Sequence, residues 1–399
     1  PVVKEMIKKK KILVVINRGP VELDWLMPII FVLKKNFDIY FIFNSKKSFF
    51  KLKENKSLYL IFKSMCSEYY IISKYKNLMH KMIRLILSKF VKYQFIRRLI
   101  YNLNNKINNI FQFKDTKINF DISFFEYASN SGIPIFLKDN TDTKIVYYPG
   151  TVLPLATDKK NFFLKKMKIV GSYIIVNSLN KKFKKIFKNK KIIYVGNPKY
   201  ADWWLKKFVK KKINKKKVAL FVSNAHVKIS KKDVIKLKNY FFSIIKTILS
   251  FNNLTLLLKI HPVKDNPYYL EVINKFPSNR IKISTDSIYT LSHNSNVVIA
   301  SSSSAGVLDG IANKKPTIGI WNNDINVMIG HSRYPKKEEK IMNFVRADNN
   351  NVLKNFLSSA INNPNDFIWK KKYKNFVNYF QSRNVSQKKI ELTFKKLIN

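Results

Sequence analysis

The chain has 399 residues, more than one hydrophobic core usually serves, so its length favours two domains. With 46% hydrophobic and 14% aromatic residues it has ample material for a core, which excludes global disorder. Lys and Arg number 76 against 24 Asp and Glu, a net charge of +52. Inflated Lys, Asn, Ile, Phe and Tyr beside only nine Gly fit drift toward A/T-rich codons, but drift alone does not deplete acids. A self-repelling chain is easier to tolerate beside a polyanion: an anionic membrane leaflet, nucleic acid or a phosphorylated substrate.

The run Ile12 to Ile16 is too short for a signal segment, and no later stretch reaches the length of a membrane span, so a soluble or peripheral protein is expected. It reads as a strand, followed by a loop and helix over RGPVELDWLMPIIFVLKK and a second strand, FDIYFIF. Cys66 is the one cysteine, which excludes an intrachain disulfide and fits a reducing, cytoplasmic setting. Over 74–98 a helix is expected with Met79, Met82, Ile83, Ile86 and Phe90 on one face and Lys81, Arg84, Lys89 and Lys92 on the other, either a core helix with a solvated basic face or a membrane-apposed one. INFDISFF, TKIVYY, SYIIVNS and KIIYVGNP continue the strand rhythm.

Strands alternating with helices imply an α/β fold built on mostly parallel sheets. The lysine-rich stretch 205–217 reads as a linker between a domain at 1–204 and a second at 218–365, with a basic helical tail at 366–399. The second series runs through VALFVSN, a helix from about Lys232 to Ser250, TLLLKIHP, RIKIS, NVVIASSSS, a helix from Gly306 to Lys314, and PTIGIW.

Gly306, Gly310 and Gly319, three of the nine glycines, fall in one segment. Just before them, Ser301 to Ser304 close a strand and open a helix, where hydroxyls, free backbone N–H groups and the positive helix end can cradle a phosphate. Serines in such a place also simply cap helices. Lys259-Ile260-His261-Pro262 closes the TLLLKI strand, and a histidine at a strand's carboxyl end in an open α/β sheet lies beside the ligand crevice. As a donor it can hold a leaving phosphate; as a packed histidine it would need no ligand.

The order strand-Lys-x-His-Pro, then strand, Ser-rich turn, Gly306 and Asp309, seven residues before Pro316, resembles the carboxyl-terminal half of GT-B type transferases. It is most similar to enzymes of bacterial surface-polymer synthesis: capsule glycosyltransferases, polysialyltransferases and CDP-glycerol glycerophosphotransferases. Ala305 stands where the last family has a second serine. The resemblance implies two Rossmann-like domains facing a cleft, acceptor-binding first and donor-binding second. It implies a donor site of Lys259, His261, Pro262, Ser303, Ser304, Gly306 and Asp309, with His261 on the donor phosphate and Asp309 on ribose or sugar hydroxyls. The Gly196-Asn197-Pro198 segment with Asp202 is similar to the one that closes the first domain in these enzymes; it is also an ordinary turn sequence.

An inverting transfer needs a base near the acceptor hydroxyl. Glu22 is the leading candidate, with Asp24 and Glu126 as alternatives; Glu22 and Asp24 could equally complement the start of the helix containing Trp25. Tyr148-Pro149-Gly150-Thr151 carries no histidine where some relatives have His-Gly. No Asp-x-Asp pair, zinc-type histidine spacing or Gly-rich nucleotide fingerprint occurs, so neither a metal nor a cofactor is implied.

The expected activity is glycosyl transfer from a nucleotide-activated sugar to a lipid-linked or glycan acceptor of a capsule, lipopolysaccharide or related surface glycan, at the inner face of an anionic membrane. Polyol-phosphate transfer is the nearest alternative. A nonenzymatic nucleic-acid or membrane binder is a third, although no specific nucleic-acid recognition motif is present.

Overall fold

The computed structural model describes residues 9–71, 119–126, 142–148, 173–176, 187, 189–209, 216–223, 231–261, 267–301, 304–322, 338–380 and 385–398. The helix expected over 74–98, Pro149 to Thr151, residues 210–215 of the expected linker, Pro262 and Ser303 lie outside them.

Two all-parallel sheets organise the chain. The first contains β1 (Lys10–Ile16), β2 (Phe37–Phe43), β3 (Glu68–Ile71), β4 (Ile122–Glu126), β5 (Lys144–Tyr148), β6 (Tyr173–Ile175) and β7 (Lys191–Ile193), in the order β3-β2-β1-β4-β5-β6-β7. The second contains β8 (Lys217–Val222), β9 (Leu254–Lys259), β10 (Ile281–Ser284), β11 (Val297–Ser301), β12 (Thr317–Trp321) and β13 (Asn343–Arg346), in the order β10-β9-β8-β11-β12-β13. Central strands covered on both faces must be apolar throughout, which is why Ile12 to Ile16 and Val297 to Ala300 are fully buried. In each sheet the strand order reverses beside the first strand, at β1/β4 and at β8/β11. Open α/β sheets bind ligands at such switch points, outside the carboxyl ends of the strands.

Helix α1 (Pro20–Leu33) begins with Pro at its first position, where the missing N–H costs nothing. It is apolar on nearly every side because the sheet and several helices cover it. Ser45 caps α2 (Lys46–Glu54) and Asn55 caps α3 (Lys56–Met65), each side chain accepting a backbone N–H of the first turn. The chain leaves the first sheet through α4 (Asp202–Leu205) and the turn Lys206–Phe208, with Trp204 and Phe208 buried and the Phe208 ring 5.0 Å from Tyr289 of the second unit.

The second sheet carries α5 (Lys231–Leu249), α6 (Pro267–Ile273), α7 (Ile288–His293), α8 (Ala305–Ala312) and α9 (Asn350–Asn362). The tail forms α10 (Phe367–Phe380) and α11 (Gln387–Ile398) and returns to the first unit. Phe376 meets Tyr200, with ring centroids 5.3 Å apart; Phe394 meets Phe124 at 5.6 Å; Asn36 Nδ2 donates to Glu391 at 2.9 Å. One core cluster therefore contains side chains of both units.

Candidate functional site at the domain junction

In the first unit the loop after β1 gathers polar groups that sequence spacing scatters. The Asn17 N–H donates to Glu22 Oε2 at 2.7 Å, and Arg18 Nε lies 3.6 Å from Glu22 Oε1. Arg18 also pairs with Glu126, at the end of β4, so its guanidinium joins two carboxylates across the switch point. Asn44, just beyond β2, donates to Asn17 Oδ1. Glu22 is wholly buried, and burial outweighs the Asn17 N–H and Arg18 to push its carboxyl up to about 7. Glu22 Oε1 accepts no hydrogen bond among the described residues. Tyr148, ending β5, brings a buried hydroxyl with no hydrogen-bond partner among the described residues; burial and the charge of Glu22 hold it well above its ordinary range. Glu22 also sits in the first turn of α1, so the helix-end role read from the sequence applies as well.

Gly19 makes this loop possible. Its φ of 69° is unfavourable for side-chain-bearing residues, and a Cβ there would lie 2.5 Å from the Ser48 carbonyl oxygen of α2.

In the second unit, Ser223 after β8 accepts the backbone N–H of His261 at 2.9 Å, placing the histidine beside the β8/β11 switch point. Ser304 caps α8 by accepting the Gly306 N–H at 3.1 Å. Gly306 brings α8 tight onto the sheet: a Cβ would lie 2.8 Å from Val222 Cγ1 and 2.9 Å from Ile288 Cδ1.

Lys259 and Asp309 face inward. Lys259 Nζ donates to the carbonyls of Thr285 and Asp286, and burial lowers its ammonium to about 8 against the opposing pull of Asp24, Asp286 and Asp309. Asp309 is buried and meets Lys199 Nζ at 3.1 Å, while the same ammonium meets Asp24 at 2.7 Å. Trp25 lies 4.5 Å from Lys199 Nζ, with Tyr200 and Tyr289 each at 5.6 Å. Burial pushes the Asp309 carboxyl up, Lys199 pulls it down and Asp24 adds to the rise. Each of the three candidate bases therefore has a cationic partner: Asp24 pairs with Lys199, while Glu22 and Glu126 share Arg18.

The triad ties α1 to α8, the helices that follow the two switch-point strands. A second tie lies nearby: Asp286 accepts the Ser57 N–H at 2.9 Å and the Ser57 hydroxyl at 3.0 Å, and Thr290 donates to Ser57 at 3.0 Å. Among the described residues no group of three His, Cys, Asp or Glu side chains gathers at one point, and no described helix is long and apolar enough to cross a membrane.

Sequence reasoning missed Arg18, Ser223, Asp286 and the role of Lys199. The signal for Arg18 was its place in a Gly-Pro loop directly after the first strand; Lys199 lay inside the Gly-Asn-Pro-Lys segment already singled out.

Two Rossmann-like sheets with their switch-point helices tied together define the GT-B fold. The UDP-bound structure of S. aureus MnaA shares it at a TM-score of 0.59 and 14% identity, over 98% of this chain and 95% of that one. The Methanocaldococcus jannaschii UDP-GlcNAc 2-epimerase in complex with UDP-GlcNAc and UDP gives 0.53 and 16%, over 97% and 99%. The spinosyn rhamnosyltransferase SpnG complexed with thymidine diphosphate gives 0.53 and 8%, over 98% and 100%. No protein-family model matches the sequence, and no curated protein does.

Proposed function

We propose that the chain is a glycosyltransferase using a nucleotide-activated sugar, with residues 1–204 binding the acceptor and 218–365 the donor. The observation that carries this is Glu22: a buried carboxylate pushed up to about 7, whose Oε1 faces Arg18 and accepts no hydrogen bond among the described residues, at the switch point of a first Rossmann-like unit tied to a second. In the proposed reaction Glu22 takes the proton of an acceptor hydroxyl as its oxygen bonds to the anomeric carbon. The bond from that carbon to the donor phosphate breaks, and the nucleoside diphosphate leaves with the electron pair. His261 and the start of α8 at Ser304 would bear that charge, as preorganised donors do for other leaving groups. Ser303 and Pro262, outside the described residues, are assigned to the donor site by the sequence resemblance alone. Lys259 and Asp309 would act from behind it, by fixing the Asp286 loop and α8.

The acceptor proposed is a lipid-linked or growing surface glycan. Thermal unfolding against a panel of nucleotides and nucleotide sugars tests the donor, because a ligand of the native state raises its stability. A raised Tm for one nucleotide family, followed by release of that diphosphate with acceptor, supports the reading. No shift with any of them at millimolar concentration counts against it.

The likeness to epimerases favours a second reading, isomerisation of the sugar on its nucleotide. Conversion of the nucleotide sugar with no acceptor present would select it.

A further inference from the structure

The strongest feature outside the proposed catalytic groups is the outer surface of α2 and α3. These helices carry six lysines and one acid, Glu54, which pairs with Lys51 at 3.2 Å. Lys46, Lys47 and Lys53 on α2 and Lys56 and Lys63 on α3 are exposed. Set among them are Phe50 at 56% exposure, Leu60 at 62% and, on the neighbouring edge strand β3, Tyr69 at 42%. Helical spacing puts Lys46, Phe50 and Lys53 along one line of α2, and Lys56, Leu60 and Lys63 along one line of α3.

The inward faces of the two helices have no such mixture. Phe49, Tyr59 and Phe62 of the helices stack or meet edge-on with one another, and Phe49 and Phe62 also meet the inner side of the half-exposed Tyr69 ring of β3, at centroid distances of 5.0 to 6.5 Å, which fixes the helices to the sheet. Exposed apolar side chains on so rigid a base are not loose core residues. Lys53 Nζ sits 5.2 Å from the Phe49 ring and 5.9 Å from Phe50, so its stem lies along apolar surface while its charge stays in water. Large apolar side chains ringed by lysines match the acyl and headgroup layers of an anionic bilayer.

The position of the face matters as much as its chemistry. Asn44, two residues before α2, bonds Asn17 beside Glu22, and the Ser48 carbonyl of α2 packs on Gly19 in the same loop. The basic face therefore starts beside the β1-α1 loop that carries Glu22. We propose that α2 and α3 dock on an anionic lipid surface and hold the loop of Glu22 near that surface, so that an acceptor with a lipid tail can present its head group without leaving the membrane. The proposal rests on the glycosyltransferase reading for the acceptor, but the docking face stands on its own residues.

Vesicle sedimentation tests it, using phosphatidylcholine alone and phosphatidylcholine mixed with phosphatidylglycerol. The full chain should sediment with the mixed vesicles at low salt, be released at high salt and ignore the neutral ones, since screening weakens exposed charges. The variant Lys46→Glu/Lys53→Glu/Lys56→Glu/Lys63→Glu should bind the mixed vesicles at least tenfold more weakly. Phe50→Ser/Leu60→Ser should weaken binding and leave the remainder more salt-sensitive. An environment-sensitive dye on Leu60→Cys, in a Cys66→Ser background, should shift to the blue on mixed vesicles. Vesicle binding by the fourfold variant within twofold of the parent, or no dye shift on vesicles that sediment the protein, overturns the assignment. Nucleotide-induced stabilisation, measured on the same variants, should be unchanged; its absence in the parent would count against the donor reading and leave the docking result to be judged separately.

Discussion

At the scale of single residues, Glu22 ties stability to pH, and the proposed role as base adds activity with the opposite sign. Its carboxyl is raised from an ordinary value of 4.5 to about 7, so between those values the folded chain keeps a proton that the unfolded chain has released. Stability must then fall as pH rises across that window, by up to about 3 kcal/mol, and level off above it. Glu22→Gln removes the titration while keeping an oxygen for the Asn17 N–H. Urea unfolding should show the variant gaining on the parent from pH 5 to pH 8, while transfer falls on the order of a hundredfold or more if Glu22 is the base. Turnover within a few-fold of the parent would remove Glu22 from that role. Glu22 was legible in the sequence as an acid in the loop after the first strand, but the different surroundings of Glu22 and Asp24 were not. Asp24 meets Lys199, which is 175 positions away in the chain and reaches it only through the fold. Spacing to Pro316 singled out Asp309 as a contact for ribose or sugar hydroxyls; the structure buries it against Lys199, an inward direction that is a matter of packing and that spacing does not carry.

At the scale of elements, apolar runs and their order were the legible part. The helix expected from about Lys232 to Ser250 is Lys231–Leu249, and the one expected from Gly306 to Lys314 is Ala305–Ala312. Such segments show because a doubly covered strand and a half-covered helix leave different periodicities. The turn that shapes the β1-α1 loop does not show in this way, because nothing in Arg-Gly-Pro says which way the next helix will pass. Gly19 is where that geometry is fixed. A methyl group there meets the α2 backbone itself, which has no rotamer with which to yield, and a side chain at positive φ adds strain. Gly19→Ala should therefore destabilise the first unit by about 2 kcal/mol or more and weaken any acceptor-dependent rate, since α2 must shift away from Asn17. Gly306→Ala meets side-chain ends only, at Val222 and Ile288, and should cost less. Thermal unfolding of the two variants side by side checks the order; equal losses would mean that α2 yields as readily as a side chain.

At the scale of the whole molecule, the question is what holds two units of a strongly self-repelling chain together. Acids are scarce, and two of them meet one buried lysine between the units: Asp24 on α1 and Asp309 on α8, both on Lys199 before α4. Burial opposes the Lys199 charge, but the two carboxylates outweigh it and raise its pKa, so the ammonium stays charged throughout the neutral range. A buried ion pair adds little net stability, because desolvation offsets attraction, yet removing one partner leaves the others charged and dry. Lys199→Met should accordingly cost about 3–5 kcal/mol at pH 8. Its loss should shrink at pH 5: without the lysine the Asp309 carboxyl keeps the upward push of burial and of Asp24 and loses the opposing pull, the folded form takes up a proton there, and stability falls as pH rises through that raised value. Lys199→Met combined with Asp24→Asn and Asp309→Asn should recover most of the loss at pH 8, since no charge is then left unpaired. Urea unfolding at the two pH values, for the single and triple variants, reads all of this. Equal losses at both pH values, or a triple variant no more stable than Lys199→Met, would show that the lysine acts through its packing against Trp25, Tyr200 and Tyr289 rather than through its charge.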